Sequence, residues 1–254
     1  MSFRSNTLAR AAVVFVAVAA SALAAPGATS LVAPFSAAPP GSTLPPGWNR
    51  TDIKGVDART AYTLVDDQGT TVLRAAANAS ASAVVYKMAT PVRDAPLLQW
   101  RWKVSDVLKS SNPTTKEGDD YAARVYVMFD YPLEKLPLAD RIRLRLARAF
   151  YDPGVPAATL CYVWDSRMRA GTVLTSPYTS RVRIIVAESG GQHAGEWRTV
   201  ERDVGEDFRR AFGEEPPAVS AVAVATDTDN TRERITAWYG DIVLKKRGVT
   251  APAE

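Results

Sequence analysis

Carboxylates, rather than histidine or cysteine, are the side chains of this sequence that could carry chemistry. The chain has 254 residues but only one histidine and one cysteine, too few for a zinc site of the usual ligands or for most nucleophilic mechanisms. His193 lies in a Gly-rich turn, Cys161 lies in an apolar stretch, and no Gly-x-Ser-x-Gly sequence occurs. The sequence therefore predicts no catalytic residue and no redox cofactor, and it favours a binding protein over an enzyme.

Two pairs of aspartates lie where loops are predicted to meet strands. Asp119 and Asp120 precede the stretch Tyr121–Phe129, and Asp227 and Asp229 follow an apolar run near the end of the chain. Paired acids can act as acid and base in a glycosidase or bind a hard cation such as calcium. Aspartates at strand ends also cap backbone N–H groups or pair with arginine. Structural ion pairing, structural calcium and catalysis therefore all remain open, although an EF-hand is excluded because its glycine and glutamate are missing.

The stretch Tyr121–Phe129 has the pattern of a central strand. β-forming residues alternate along it, and Arg124 and Tyr126 share one face with apolar neighbours. Tyr121 is expected on the opposite face. An edge strand would need only one apolar face, so this strand is predicted to lie inside a sheet. A buried arginine needs an ion-pair partner, and we expect Asp119 or Asp120 to supply it.

Tryptophans on predicted strands are the second signal. In Leu97–Val104, Trp100 and Trp102 alternate with Arg101, which predicts that the indoles face the core and the guanidinium faces outward. Trp164 ends another apolar strand and is followed by polar residues, so its ring could stack on a sugar beside hydrogen-bonding groups. The alternative for Trp164 is a place in the core.

The spacing of about ten short strand candidates and their turn residues predicts an all-β protein. We expect an antiparallel, jelly-roll-like β-sandwich with one helical insertion and one short helix. The insertion occupies residues 134–152. Its apolar residues recur at helical spacing and are predicted to pack on the sandwich, with arginines on the opposite side; they are Leu138, Ile142, Leu146 and Phe150.

The first 25 residues have the pattern of a secretory signal. Arg4 and Arg10 form a basic start, residues 11–20 are apolar, and small residues lead to a cleavage zone at Ala24 and Ala25. We expect export to the periplasm or the medium, with no transmembrane span after processing. A retained N-terminal anchor is the alternative.

Composition divides the rest of the chain into a linker rich in Pro and Ala over residues 26–43, one sandwich domain over 44–247, and a tail over 248–254. Residues 1–25 contain two arginines and no acid, so their removal lowers the net charge from +4 to +2. A nearly neutral mature protein gives no reason to expect nucleic acid as a partner.

Several segments together resemble a bacterial exported family that is known only as a domain of unknown function. The resemblance covers about residues 44–245 and implies no activity; its segments are Leu44–Trp48, Trp100–Trp102, Gly118–Val127, Thr226–Thr231 and Ala237–Ile242. A weaker resemblance to jelly-roll carbohydrate-binding modules is carried by the closing Tyr239-Gly240-Asp241-Ile242 and by Trp197–Val200. This second resemblance implies a sandwich that binds sugars.

We therefore expect non-catalytic binding of a glycan, or of another polar ligand of the cell envelope, on the concave face of the sandwich. The alternatives are a carbohydrate-active hydrolase or lyase that uses the paired aspartates, and an envelope protein that docks through the Arg-rich helix. Structural calcium is the one cofactor for which the residues offer ligands. The expected binding residues are Arg101, Arg124, Tyr126 and Trp164, with Asp119, Asp120, Asp227 and Asp229 at the rim.

Overall fold

A computed structural model describes residues 32–150 and 156–247 of the chain, with side chains included except at 147–150. The predicted signal peptide and the C-terminal tail lie outside these ranges, as does the start of the linker. Two α-helices are described, α1 (Leu138–Phe150) and α2 (Val204–Phe212). The strands, in chain order, are β1 (Trp48–Asp52), β2 (Ala61–Asp67), β3 (Thr70–Asn78), β4 (Ser82–Thr90), β5 (Leu97–Val104), β6 (Ala123–Phe129), β7 (Ala158–Asp165), β8 (Val173–Thr175), β9 (Val182–Ser189), β10 (Arg198–Asp203), β11 (Val219–Ala225), β12 (Arg234–Tyr239) and β13 (Val243–Lys245).

The strands form two sheets, which confirms the predicted β-sandwich of jelly-roll type. The seven-stranded sheet has the order β1-β4-β11-β6-β7-β9-β8, and β6 lies at its centre, as the alternation of its residues predicts. The six-stranded sheet has the order β10-β5-β12-β3-β2, with β13 also paired to β5. Pairing is antiparallel except between β7 and β9, which run parallel. The chain passes through β8, antiparallel to β9 at the sheet edge, before it returns in the direction of β7.

The core lies between the sheets and is rich in aromatic rings. Trp100 and Trp102 of β5 point inward, as predicted, and meet rings from β7. The ring centroids of Trp100 and Tyr162 are 5.2 Å apart, and those of Trp102 and Trp164 are 5.9 Å apart. Each large ring removes a large apolar area from water, so this cluster holds the two sheets together.

A second apolar layer covers the outer face of the seven-stranded sheet. Tyr121, Cys161 and Val163 are buried there with residues of β9, and Tyr126 packs against them. This layer explains why β6 carries apolar residues on both faces. The expectation that Tyr121 lies on the opposite face from Arg124 and Tyr126 was wrong. Strand β6 begins at Ala123, so the alternation of its side chains does not extend back to Tyr121.

Helix α1 confirms the helical insertion between β6 and β7 but not its orientation. Leu144 is buried in the core, whereas Leu138, Ile142 and Leu146 are exposed. The expectation that these three residues pack on the sandwich was therefore wrong. Leu144 lies about 200° around the helix from Ile142, so burying Leu144 turns the other three side chains outward. The fourth predicted position, Phe150, has its side chain outside the described set.

Helix α2 confirms the short helix predicted before Gly213. Asp203 caps its start by accepting a hydrogen bond of 2.8 Å from the backbone N–H of Glu206. Gly213 ends it with φ of 72°, a conformation that glycine adopts without steric cost. Within the described ranges, no helix has the length and apolar character needed to span a bilayer.

Candidate functional site

The residues expected to form one binding site lie in three different places, namely the outer face of each sheet and the core between the sheets. Arg124 and Tyr126 are on the outer face of the seven-stranded sheet. Arg101 is on the outer face of the six-stranded sheet, because its neighbours Trp100 and Trp102 point inward. A single site that contains Arg101 together with Arg124 is therefore a wrong prediction.

Trp164 belongs to the core, so its expected role as an exposed sugar platform is also wrong. Its side chain lies between the sheets and is 1% exposed. The indole N–H donates a hydrogen bond of 3.0 Å to the carbonyl of Gly190. All eight residues of β7 are buried, because this strand lies between β6 and β9 and both of its faces are covered. The polar residues after Trp164 signalled the end of the strand rather than an exposed ring.

Arg124 is the centre of a buried ion-pair network at one end of β6. Its Nε donates to Asp227 Oδ1 at 2.9 Å, and its Nη2 donates to Asp227 Oδ2 and to the carbonyl oxygen of Asp119. Its Nη1 lies 3.6 Å from Asp119 Oδ2, and the guanidinium carbon lies 4.3 Å from the centre of the Tyr121 ring. The expected partner Asp119 is confirmed, and the bidentate partner is Asp227.

Asp120 is not a partner of Arg124 but holds the loop between β11 and β12. Its carboxylate accepts hydrogen bonds from Asn230 Nδ2 at 2.9 Å and from the backbone N–H of Thr231 at 2.6 Å. Carboxylate oxygens of Asp120, Asp227 and Asp229 lie within 4.8 Å of one another. This spacing suits a hard cation such as calcium, which takes oxygen ligands at about 2.3–2.6 Å.

Three acids of this region, Asp119, Asp227 and Asp229, lie in surroundings that disfavour their charged form. Burial raises the pKa of Asp227 to about 7, with a further rise from Asp120 and Asp119, while Arg124 opposes the change. Burial also raises the pKa of Asp119, and burial together with Asp120 raises the pKa of Asp229. Two carboxylates therefore contact the buried Arg124 guanidinium and two more lie in the same cluster, and a bound cation would relieve their repulsion.

This geometry favours a structural role for the acids over glycosidase chemistry. Asp227 uses both oxygens on Arg124, and Asp227 Oδ1 also accepts the backbone N–H of Tyr121 at 3.1 Å. Asp120 uses both oxygens on the β11–β12 loop. Acid–base catalysis at a glycosidic bond needs carboxyl groups that face the substrate, whereas these groups are turned toward the protein.

The outer face of the six-stranded sheet carries an arrangement in which only Arg101 was expected to belong to a binding site. Trp238 of β12 and Trp197, directly before β10, are both partly exposed. The Lys103 ammonium lies 4.8 Å from the centre of the Trp238 ring and 5.0 Å from that of Trp197. The Arg101 guanidinium carbon lies 4.5 Å from the centre of the Trp197 ring. We call this surface, together with Asp67, the tryptophan face.

Asp67 completes the tryptophan face from a distant strand. Its Oδ2 accepts hydrogen bonds from Lys103 Nζ at 2.7 Å and from the Trp197 indole N–H at 2.6 Å. Two strands separate β2 from β5 in the sheet order, so the end of the β2–β3 hairpin bends over the outer face. The hydrogen bond from Lys103 is the main cause that lowers the pKa of Asp67, and the Trp197 N–H adds to it.

Strand alternation could have indicated part of this surface. In β12, Ile235, Ala237 and Tyr239 are buried, which leaves Trp238 on the outer face, and Lys103 is outward by the same rule in β5. Nothing local in the sequence indicates that Asp67 reaches them, because that contact depends on how the hairpin bends.

The two sheets, the helical insertion and the buried network define a class: an all-β sandwich of jelly-roll type with aromatic residues on an outer face. Comparison with family models shows that the chain belongs to DUF3047, a family of proteins of unknown function, whose model matches residues 46–243. This confirms the resemblance to a family without known function. No curated protein matches the sequence.

Solved structures to which this chain is similar include two that hold a carbohydrate. One is a family 11 carbohydrate-binding module from Clostridium thermocellum in complex with a mixed-linked tetrasaccharide; it is 9% identical, with 81% of this chain and 92% of that chain covered and a TM-score of 0.39. Another is the xyloglucanase domain of NopAA from Sinorhizobium fredii in complex with cellobiose, 9% identical, with 83% and 99% covered and a TM-score of 0.46. These likenesses concern the β-sandwich fold alone.

Proposed function

We propose that this protein binds a glycan without catalysis and that the tryptophan face is its binding surface. The observation that carries the proposal is the pairing of two partly exposed indoles with one ammonium–carboxylate pair on the same face of a sheet. We further propose that the protein acts in the periplasm or outside the cell, on the basis of its N-terminal sequence.

The chemistry of a sugar matches both parts of this surface. The C–H groups on one side of a pyranose ring form an apolar face that can lie on an indole, a contact worth about 1–2 kcal/mol by analogy with aromatic pairs. The hydroxyl groups at the ring edge can donate to Asp67 and accept from Lys103 or Arg101. Because the Lys103–Asp67 pair is already in place at 2.7 Å, little side-chain freedom is lost on binding.

Trp238 is the better stacking platform of the two indoles. The Trp197 ring has Arg101 and Lys103 close to it and uses its N–H on Asp67. Trp238 has only Lys103 among the cation–ring contacts described for it. We therefore assign the main sugar contact to Trp238 and an orienting role to Trp197, which holds Asp67 in position.

Titration of the protein lacking residues 1–25 against bacterial envelope and plant glycans, followed by tryptophan fluorescence, tests the proposal. We expect Trp238→Ala to weaken binding by about 5- to 30-fold, the equivalent of about 1–2 kcal/mol, with the fold retained. Tyr178→Ala is the matched control, because Tyr178 is an exposed aromatic residue away from the tryptophan face and its loss should leave binding unchanged.

Two results would contradict the proposal. One is the absence of a fluorescence change with every glycan, and the other is a Trp238→Ala protein that binds as tightly as the wild type. Release of reducing sugar from a bound glycan, lost in Asp120→Asn while the fold is kept, would favour the hydrolase alternative instead. Trp164→Ala is unsuitable as a binding variant, because emptying a core position of this size costs about 3–5 kcal/mol of stability.

A further inference from the structure

Helix α1 exposes an apolar surface that the described residues, 32–150 and 156–247, leave uncovered. Among the described residues, five large hydrophobic side chains are exposed, and three of them lie on this one helix. Their exposed fractions are 68% for Leu138, 48% for Ile142 and 51% for Leu146. We call these three residues the apolar ridge.

The geometry of the helix makes the ridge continuous. Its residues are four positions apart, so each lies about 40° around the helix from the one before and all three share one side. Leu144 lies on the opposite side and is buried in the core at 7% exposure. The N-terminal end is tied down by Arg141, whose Nη2 donates to the carbonyl oxygens of Glu134 and Leu136 at 2.9 and 3.1 Å. Leu144 thus faces the core of the sandwich, and the apolar side of the helix points away from it.

Positive charge lies on both sides of the ridge. Relative to Ile142, Arg145 is about 60° around the helix in one direction and Arg143 about 100° in the other, and both are exposed. The sequence of α1 contains four arginines and a single acid, Asp140. Asp140 lies 3.5 Å from Arg143 Nη1, which is a weak, exposed ion pair.

We propose that α1 binds in the plane of an anionic lipid surface, with the apolar ridge among the acyl chains and the arginines at the phosphate level. An apolar stripe with basic residues on both sides fits a surface that is uniformly negative, and long arginine side chains can reach the headgroups while their stems stay apolar. A protein partner would instead need acids placed to match each arginine. The lipid surface and the glycan would use different parts of the molecule, since α1 follows β6 of the seven-stranded sheet and the tryptophan face belongs to the six-stranded sheet.

Co-sedimentation with vesicles tests this proposal. The probes are vesicles of phosphatidylcholine alone and vesicles of phosphatidylcholine mixed equally with phosphatidylglycerol, with the protein lacking residues 1–25. We expect binding to the mixed vesicles only, weakening as salt is added. Ile142→Ser with Leu146→Ser should lower the partition coefficient at least about tenfold, and Arg143→Gln with Arg145→Gln should lower it by about fivefold or more.

Matched controls separate the ridge from general surface properties. Ile53→Ser removes an exposed apolar side chain elsewhere, and Arg59→Gln with Arg93→Gln removes two exposed charges elsewhere; both should bind vesicles as the wild type does. Circular dichroism of each variant checks that it folds. The proposal fails if the wild type does not bind the mixed vesicles, or if the variant with Ile142→Ser and Leu146→Ser (the ridge variant) binds them as tightly as the wild type. Self-association that the ridge variant abolishes, without vesicle binding, would show a protein interface and would also overturn it.

Discussion

Replacing Arg124 by methionine is the most direct test of the buried network. Methionine keeps an unbranched apolar stem of similar length but removes the positive charge and every hydrogen bond that the guanidinium donates to Asp227 and Asp119. The side chain of Arg124 is 6% exposed and that of Asp227 is 14% exposed. The change therefore leaves a buried acid that must either keep its charge without a counter-ion or take up a proton, whereas an exposed acid would be solvated by water.

Breaking a buried pair in this way costs about 3–5 kcal/mol of unfolding free energy. For a domain of this size, 1 kcal/mol corresponds to a fall in Tm of about 2–4 °C, so the expected loss is about 6–20 °C. Urea unfolding followed by the fluorescence of the six tryptophans measures the free energy directly. Adding Asp227→Asn should restore part of the loss, because the stranded charge is then removed as well.

The cost of Arg124→Met should also depend on pH. Burial already raises the pKa of Asp227 to about 7 in the folded protein, above its unfolded value of about 3.9. The folded state then binds more protons than the unfolded state between these values, so the contribution of this group to stability falls as pH rises. Without Arg124 the pKa rises further, and the loss should be larger at pH 8 than at pH 5.

Arg59→Met is the control, because Arg59 pairs with Asp52 at the surface with 68% of its side chain exposed, and such pairs contribute about 0–1 kcal/mol. If Arg124→Met unfolds within 1 kcal/mol of wild type, as this control should, Arg124 is solvated and free for a ligand. The structural interpretation of the network would then be refuted.

Three further predictions concern other parts of the chain. Calcium should raise the Tm and a chelator should lower it if Asp120, Asp227 and Asp229 hold a cation, and Asp229→Asn should abolish that response; a Tm indifferent to calcium would contradict it. Because the folded pKa of Asp67 is lowered, its stabilising effect should be complete above about pH 4 and disappear only as pH falls through the folded value, so glycan binding should be constant from about pH 5 to 8 in fluorescence titrations. N-terminal sequencing of exported protein should begin near Pro26, and a mature chain starting at Met1 would exclude cleavage.

Features that depend on residue alternation could be predicted from the sequence. The inward tryptophans of β5 and the central position of β6 both follow from apolar residues at every second position. The pairing of Arg124 with Asp119 follows from the cost of burying an unpaired charge. Each of these features depends on residues that are only a few positions apart in the sequence.

Features that depend on distant segments could not be predicted. Asp67 meets Lys103 and Trp197 only because a hairpin bends over the sheet. The orientation of α1 depends on which side of the helix the sandwich accommodates, and it accommodates Leu144 rather than the longer stripe of apolar residues. The sequence around Trp164 fits a core position and an exposed position equally well, and its burial depends on the strands β6 and β9 that flank β7.

Cys161 gives this protein an internal reporter of its own opening. Its thiol is fully buried in the outer apolar layer, and burial raises its pKa to about 12, so the reactive thiolate is scarce while the layer is closed. An alkylating reagent can therefore reach it only when side chains packed around it, such as Tyr121, move away from the seven-stranded sheet. The rate of alkylation then measures how often the structure opens around this one residue, rather than an average over the whole domain. Since no second cysteine exists in the chain, the signal has a single source.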